Sequence, residues 1–173
     1  VSGRMVNRAT IDSMGSPAAP PYHQVPNPLF APANTRVLLC PGVTVAPVRS
    51  EVVLLAGVQG PDEYLRTNAK IEWILAPGGV GHFVDIDKSS WFNYLVLDFT
   101  WPRKVDEDYA IGTTSRKYLR LTRGTPTPED DLCVLRGQTW ISVTSPVEGT
   151  SYITAISPDV LGWDGRQQSA TIH

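Results

Sequence analysis

The stretch Ile71–Phe83, IEWILAPGGVGHF, decides between two kinds of fold. Ile71, Trp73 and Leu75 alternate with Lys70 and Glu72, the two-residue period of a strand with one buried face. Gly78, Gly79 and Gly81 then stand where a nucleotide-binding protein sets its phosphate loop. Such a loop needs Gly-Lys-Ser/Thr chemistry and a following helix whose N-terminal amides face the anion. Instead Gly81 is followed by HFVDI, another strand pattern. Pro77-Gly78-Gly79 is therefore turn punctuation, and the glycines reverse the chain after a strand that carries Trp73 into the core.

The same pattern continues on both sides. RVLLC and VTVAPV are short apolar runs split by Pro41-Gly42, and Glu51–Val58 (EVVLLAGV) is apolar on both faces, as a central strand covered on both sides should be. Downstream come YLVLDFTW (Tyr94–Trp101), KYLRLT with Leu119 and Leu121 inward, and LCVL. The rows Ile141/Val143, Ile153/Ala155 and Ala170/Ile172 then repeat the two-residue period. Fifteen Pro and 14 Gly lie between these runs, and only 18% of the 173 residues are charged. Long amphipathic helical segments are missing. The chain is all-β, and strands at this spacing make a sandwich or a barrel.

Bulk properties exclude several functions. A net charge of −2 without a basic stripe argues against nucleic-acid binding. No apolar run reaches the length of a membrane span, and the N-terminal residues lack the apolar centre of a signal peptide. Residues 1–34 carry six of the prolines in SMGSPAAPPYHQVPNPLFAPAN and read as an extended arm or linker. Such an arm is either a disordered leader or a segment that docks on a neighbouring subunit. The last residues, SATIH, read as the middle of a strand.

Two blocks resemble a known family. SEVVLLAGVQGPDEYLRTNAKIEWILAPGGVGHFV is similar to the first half of bacterial Ig-like domains of the invasin/intimin kind, and GQTWISVTSPVEGTSYITAISPDV is similar to the second half. Together with SRKYLRLTRGTPTPEDDLCVLRGQTW, they resemble most closely a segment of the large, repeat-bearing cell-surface proteins of planctomycete bacteria. The resemblance implies an Ig-like β-sandwich of seven to nine strands over residues 35–173; the chain departs from the family pattern in a long insertion around 87–115, longer than an ordinary connection between strands. It further implies an exported, non-enzymatic structural module, extracellular or on the cell surface, acting as spacer, scaffold or assembly subunit. Its partners would be neighbouring β-domains or copies of itself, engaged by strand addition. The alternative is an adhesion or carbohydrate-binding module.

Candidate chemistry is sparse. There is no G-x-S-x-G elbow, and His23, His82 and His173 have no nucleophile or carboxylate partner in local sequence. Asp85/Asp87, Asp106–Asp108 and Glu129/Asp130/Asp131 could supply oxygen ligands to Ca²⁺, but none has EF-hand spacing, and solvated loop charge is the better account. Neither a cofactor nor a metal is expected. Cys40 and Cys133 each end or begin a strand-like run, and the pair admits two readings. Two buried free thiols is one; the favoured one is a disulfide, worth roughly 4–5 kcal/mol for so long a loop. Trp91, Phe92, Trp101 and Trp163 fall in or beside loops, where they either cap the sandwich or form a platform for sugar rings or a protein partner.

Overall fold

Alternation becomes pairing in a computed structural model, which describes residues 35–89, 102–122, 129 and 131–173. Among these residues the chain forms thirteen strands and one 3₁₀ turn. They are β1 (Arg36–Cys40), β2 (Val43–Thr44), β3 (Val52–Gln59), β4 (Leu65–Arg66), β5 (Lys70–Leu75), β6 (His82–Ile86), β7 (Arg103–Lys104), β8 (Tyr109–Thr113), β9 (Leu119–Leu121), β10 (Leu132–Val134), β11 (Gln138–Thr144), β12 (Ser151–Ile156) and β13 (Gln167–Ile172). Eight of the thirteen have five or more residues, the rest two or three. The fold is nearly all β, as the composition requires.

The strands make two facing sheets. One has the order β1-β3-β11-β6, with β4 added on β3; the other runs β2-β13-β12-β5-β8-β7. All pairings within them are antiparallel except that of β2 with β13. The inward rows meet in one core: Val37 and Leu39, Leu54, Ala56 and Val58, Ile141 and Val143 from the first sheet, against Ile71, Trp73, Leu75, Ile153, Ala155 and Ala170 from the second. Trp73, Leu54, Ile141 and Ile153 are fully buried. Each buried aliphatic side chain of this kind contributes about 1.5–3 kcal/mol, so the rows, and not any cross-link, hold the sandwich.

Three expectations change. The turn at Pro77–Gly79 does not fold β5 back on a neighbour: β5 lies in one sheet and β6 in the other, so the turn carries the chain across the sandwich. Gly78 takes the left-handed φ of 87° that the crossing needs. Leu119 and Leu121 share a face, but they are half-buried in a separate two-stranded sheet, β10-β9, and not in the core. The segment expected as an insertion contributes β7 and β8, and β8 extends the second sheet beside β5; Tyr94–Trp101 lies outside the described residues, as does the arm 1–34.

The sandwich has two poles. At one pole are the start of β1 and the ends of β3 and β8, with Arg36 paired to Gln59. The residue before β1, Thr35, lies against Gly165 at the entrance to β13. β13 then runs the length of the sandwich, and His173 lies at the opposite pole, where its amide donates to Thr44 O (3.0 Å) and its carbonyl accepts from Ala46 N–H (3.0 Å). Six strand residues at about 3.3 Å each separate the two ends by about 20 Å.

Candidate functional site

The glycines do not form an anion cradle. The Gly79 amide donates to Ala76 O (3.2 Å) and the Gly81 amide to Ser151 Oγ (3.0 Å), so neither N–H is left to point at a phosphate. His82 begins β6, half-buried, and His173 Nδ1 lies 3.0 Å from Thr150 Oγ1 at the chain end. Among the described residues neither histidine is bonded to a carboxylate that could complete a triad, and His23 lies outside them.

Among the described residues no three His, Cys, Asp or Glu side chains converge on a metal position. Asp85 pairs with Lys88 Nζ at 2.8 Å, which holds its carboxyl below the usual range against the opposing pull of burial. Asp131 pairs with Arg120 at 2.7 Å. Asp106 Oδ1 accepts the Asp108 N–H within its own turn. Glu129 is exposed, and Asp130 lies outside the described residues.

The disulfide is not formed, and the thiols are not buried either: Cys40 and Cys133 are both free and exposed. Strand alternation supplies the reason. In β10 the buried Val134 and half-buried Leu132 face the sandwich, so Cys133 between them faces away, opposite Arg120 in the register with β9. Cys40 stands on β1, on the face opposite the core residues Val37 and Leu39, and pairs with Leu55.

Of the tryptophans, Trp91 and Trp101, and with them Phe92, lie outside the described residues. Trp163 is 72% exposed on the 3₁₀ turn Trp163–Gly165, at the pole where β13 begins. Trp73 is core, as expected, yet its indole N–H is buried with no acceptor.

Two buried features stand out. Asp87, after β6, is 1% exposed. Its Oδ1 accepts the Ser89 N–H (2.8 Å) while Oδ2 has no partner. Burial lifts its pKa above the ordinary carboxylate value, opposed by the hydrogen bonds from Ser89. Near it Ser89 Oγ donates to Ser115 Oγ (3.2 Å). A shallow hollow of about 940 Å³ also lies over the outer face of the first sheet, with Val53, Val84 and Trp140 at its base and Leu121 and Leu132 of the β9–β10 hairpin as a wall.

A further hollow lies at the β1-entry pole. It measures about 600 Å³ and is lined by Tyr64, Tyr118 and Leu135 together with Glu63, Arg66 and Arg136. Both tyrosines are 75% exposed. They sit on tied turns. The loop before β4 closes through Gly60 N–H to Tyr64 O (2.9 Å) and Glu63 N–H to Gly60 O (3.0 Å), and Asp62 Oδ1 accepts from Arg66 Nη2 (2.9 Å). Across the hollow, the Arg136 turn closes through Gln138 N–H to Leu135 O (3.0 Å) and Gly137 N–H to Ser115 O (2.8 Å). The Lys117 amide donates to Ser115 Oγ (3.1 Å) next to Tyr118. Sequence reasoning missed these tyrosines, although each opens a Tyr-Leu-Arg triplet whose alternation sends Leu inward and Tyr outward.

No family model matches the chain, and no curated protein matches it.

Proposed function

We propose that the chain is a non-catalytic structural module, an Ig-like sandwich serving as a force-bearing spacer or scaffold in an exported bacterial surface protein. The observation that carries this reading is the path of the chain through the sandwich. Residue 35 enters at one pole and residue 173 lies at the other, with β2 and β13 running in parallel between them. Tension applied along that line loads the bonds Thr171 N–H to Gly42 O (2.9 Å), His173 N–H to Thr44 O and Ala46 N–H to His173 O together, in shear, instead of one after another. The Gln168 side chain adds a tie by accepting the Leu39 N–H (2.9 Å) from β1 in the facing sheet.

The strand order supports the Ig-like part of the reading. β1-β3-β11-β6 opposite β5-β12-β13 follows the A-B-E-D and C-F-G pattern of that fold, with β7–β8 inserted before the E strand. An enzyme reading has no support among the described histidines, acids and glycines.

Single-molecule extension tests the proposal. Pulling through residues 35 and 173 should rupture the domain at a clearly higher force than pulling through residues 150 and 173, which peels β13 from β12 pair by pair. Ala46→Pro removes one of the sheared donors and should lower only the first force. Equal forces for the two geometries would refute the proposal. A second reading, a carbohydrate- or protein-binding module, draws on exposed Trp163; glycan binding lost on Trp163→Ala would favour it.

A further inference from the structure

The two poles differ in charge as well as in chain direction. Around the Tyr64/Tyr118 hollow, Arg66, Arg116, Lys117 and Arg136 outnumber Asp62 and Glu63. Arg66 is neutralised by Asp62 and Arg116 Nε donates to Asn68 Oδ1, whereas Lys117 and Arg136 form no salt bridge among the described residues. At the opposite pole the exposed turn Asp106-Glu107-Asp108 caps the β7–β8 hairpin, with Val105 beside it 48% exposed. That turn is fixed to the sandwich by Leu75 N–H to Asp108 O (2.8 Å) and Phe83 N–H to Glu107 O (2.8 Å). Among the described residues its three carboxylates form no salt bridge, and exposed Glu148 and Glu51 stand at the same pole against Arg49. Arg103 and Lys104 lie behind the turn on β7.

We infer that the hollow is a docking site for the acidic hairpin turn of a second copy of this chain, so that copies associate head to tail. Charge complementarity selects the occupant: a hollow lined by two exposed aromatic rings, Arg136 and Glu63, with Lys117 next to Tyr118 at its edge, meets a rigid tip with three carboxylates flanked by an apolar side chain. Val105 seats between the tyrosine rings while Glu107 and Asp108 reach Arg136 and Lys117. The contact is heterologous, one patch on each copy and different on the two, so it does not close after two subunits and extends along the pole-to-pole axis. Tied turns on both sides limit the ordering cost of docking. The inference extends the scaffold reading to assembly, and that reading stands or falls on the pulling experiment alone.

Sedimentation velocity of the full 173-residue chain, over a range of concentrations in low and high salt, tests it. The wild type should associate in low salt, and the association should weaken as salt rises. Two charge-swapped variants, Lys117→Glu/Arg136→Glu and Glu107→Lys/Asp108→Lys, should each be at least tenfold weaker alone. Mixed, they should recover association, because each mutated pole then finds its opposite. Tyr64→Ala should weaken association without changing its salt dependence. All these positions are exposed, so melting temperatures should match the wild type and separate lost docking from lost folding. A wild type that stays monomeric at every concentration overturns the inference. So does undiminished association of Glu107→Lys/Asp108→Lys, which would point to a like-on-like contact, or variants that do not complement when mixed.

Discussion

Trp73 offers the sharpest test of how the core is built, because two opposing effects meet on one ring. The side chain is fully buried in the middle of β5, and its Nε1–H finds no acceptor. The ring lies against Gly112 of β8, where a Cβ would sit only 3.1 Å from Nε1 and 3.0 Å from Thr139 Oγ1, itself buried and unpartnered. Truncation to alanine removes the whole indole from a packed site and should cost about 3–5 kcal/mol. Phenylalanine keeps the six-membered ring and gives up the pyrrole edge, a loss of about 1–2 kcal/mol in burial and packing. It also removes the buried unpaired donor, which returns about 1–3 kcal/mol. Trp73→Phe should therefore stay within about 1 kcal/mol of the wild type, while Trp73→Ala lowers the melting temperature by about 6–20 °C at about 2–4 °C per kcal/mol. Urea unfolding followed by far-ultraviolet circular dichroism measures both, since fluorescence changes with the mutated residue itself. A Trp73→Phe variant that loses 3 kcal/mol or more would refute the reasoning, since the indole N–H would then be making a favourable bond.

Two further outcomes follow from the described side chains. Cys40 and Cys133 should each take up one maleimide in the native, unreduced protein; a native mass two hydrogens short with no label would restore the disulfide. Asp87→Asn should stabilise the domain at pH 7. Burial raises the folded-state pKa of Asp87 above 3.8, so the native state holds the proton more tightly than the unfolded chain does. The stability this contributes is full below that value and is lost as pH rises through the folded pKa. The gap between variant and wild type in chemical denaturation should accordingly close as pH falls toward 3.8, and a gap that widened would refute the assignment.

Much of the fold was legible because its code is local. The two-residue period over Ile71–Leu75, Ile141–Val143 and Ile153–Ala155 picked out core faces that the sandwich does bury. What could not be read was which strand lies beside which. Nothing in Pro77–Gly81 distinguishes a hairpin turn from one that crosses to the other sheet, since both need a glycine at positive φ. Leu119 and Leu121 carried the right alternation, but their partner strand, β10, lies off the core, a matter of tertiary placement. The cysteines misled because an apolar run says that a strand is present without saying which of its faces is covered. The proposed docking hollow was the least legible of all. Tyr64, Tyr118 and Arg136 come from three separate turns, and only the closed sandwich brings them to one pole.

The crossing at Pro77–Gly81 has a consequence for how the molecule comes into being. β3 acquires its first neighbour early, through Cys40 opposite Leu55, but its second is β11, where Gln138 meets Gly57. β6 likewise waits for β11, and β5, which meets β8 first, waits for β12 on its other side. Neither sheet can therefore knit until the last third of the chain has been synthesised. Pairings so distant in sequence slow folding, and the early apolar strands stay uncovered in the meantime. β1–β3 and β5–β8 are the pairs open to the early chain, and the sandwich closes over their apolar faces only when β11, β12 and β13 arrive.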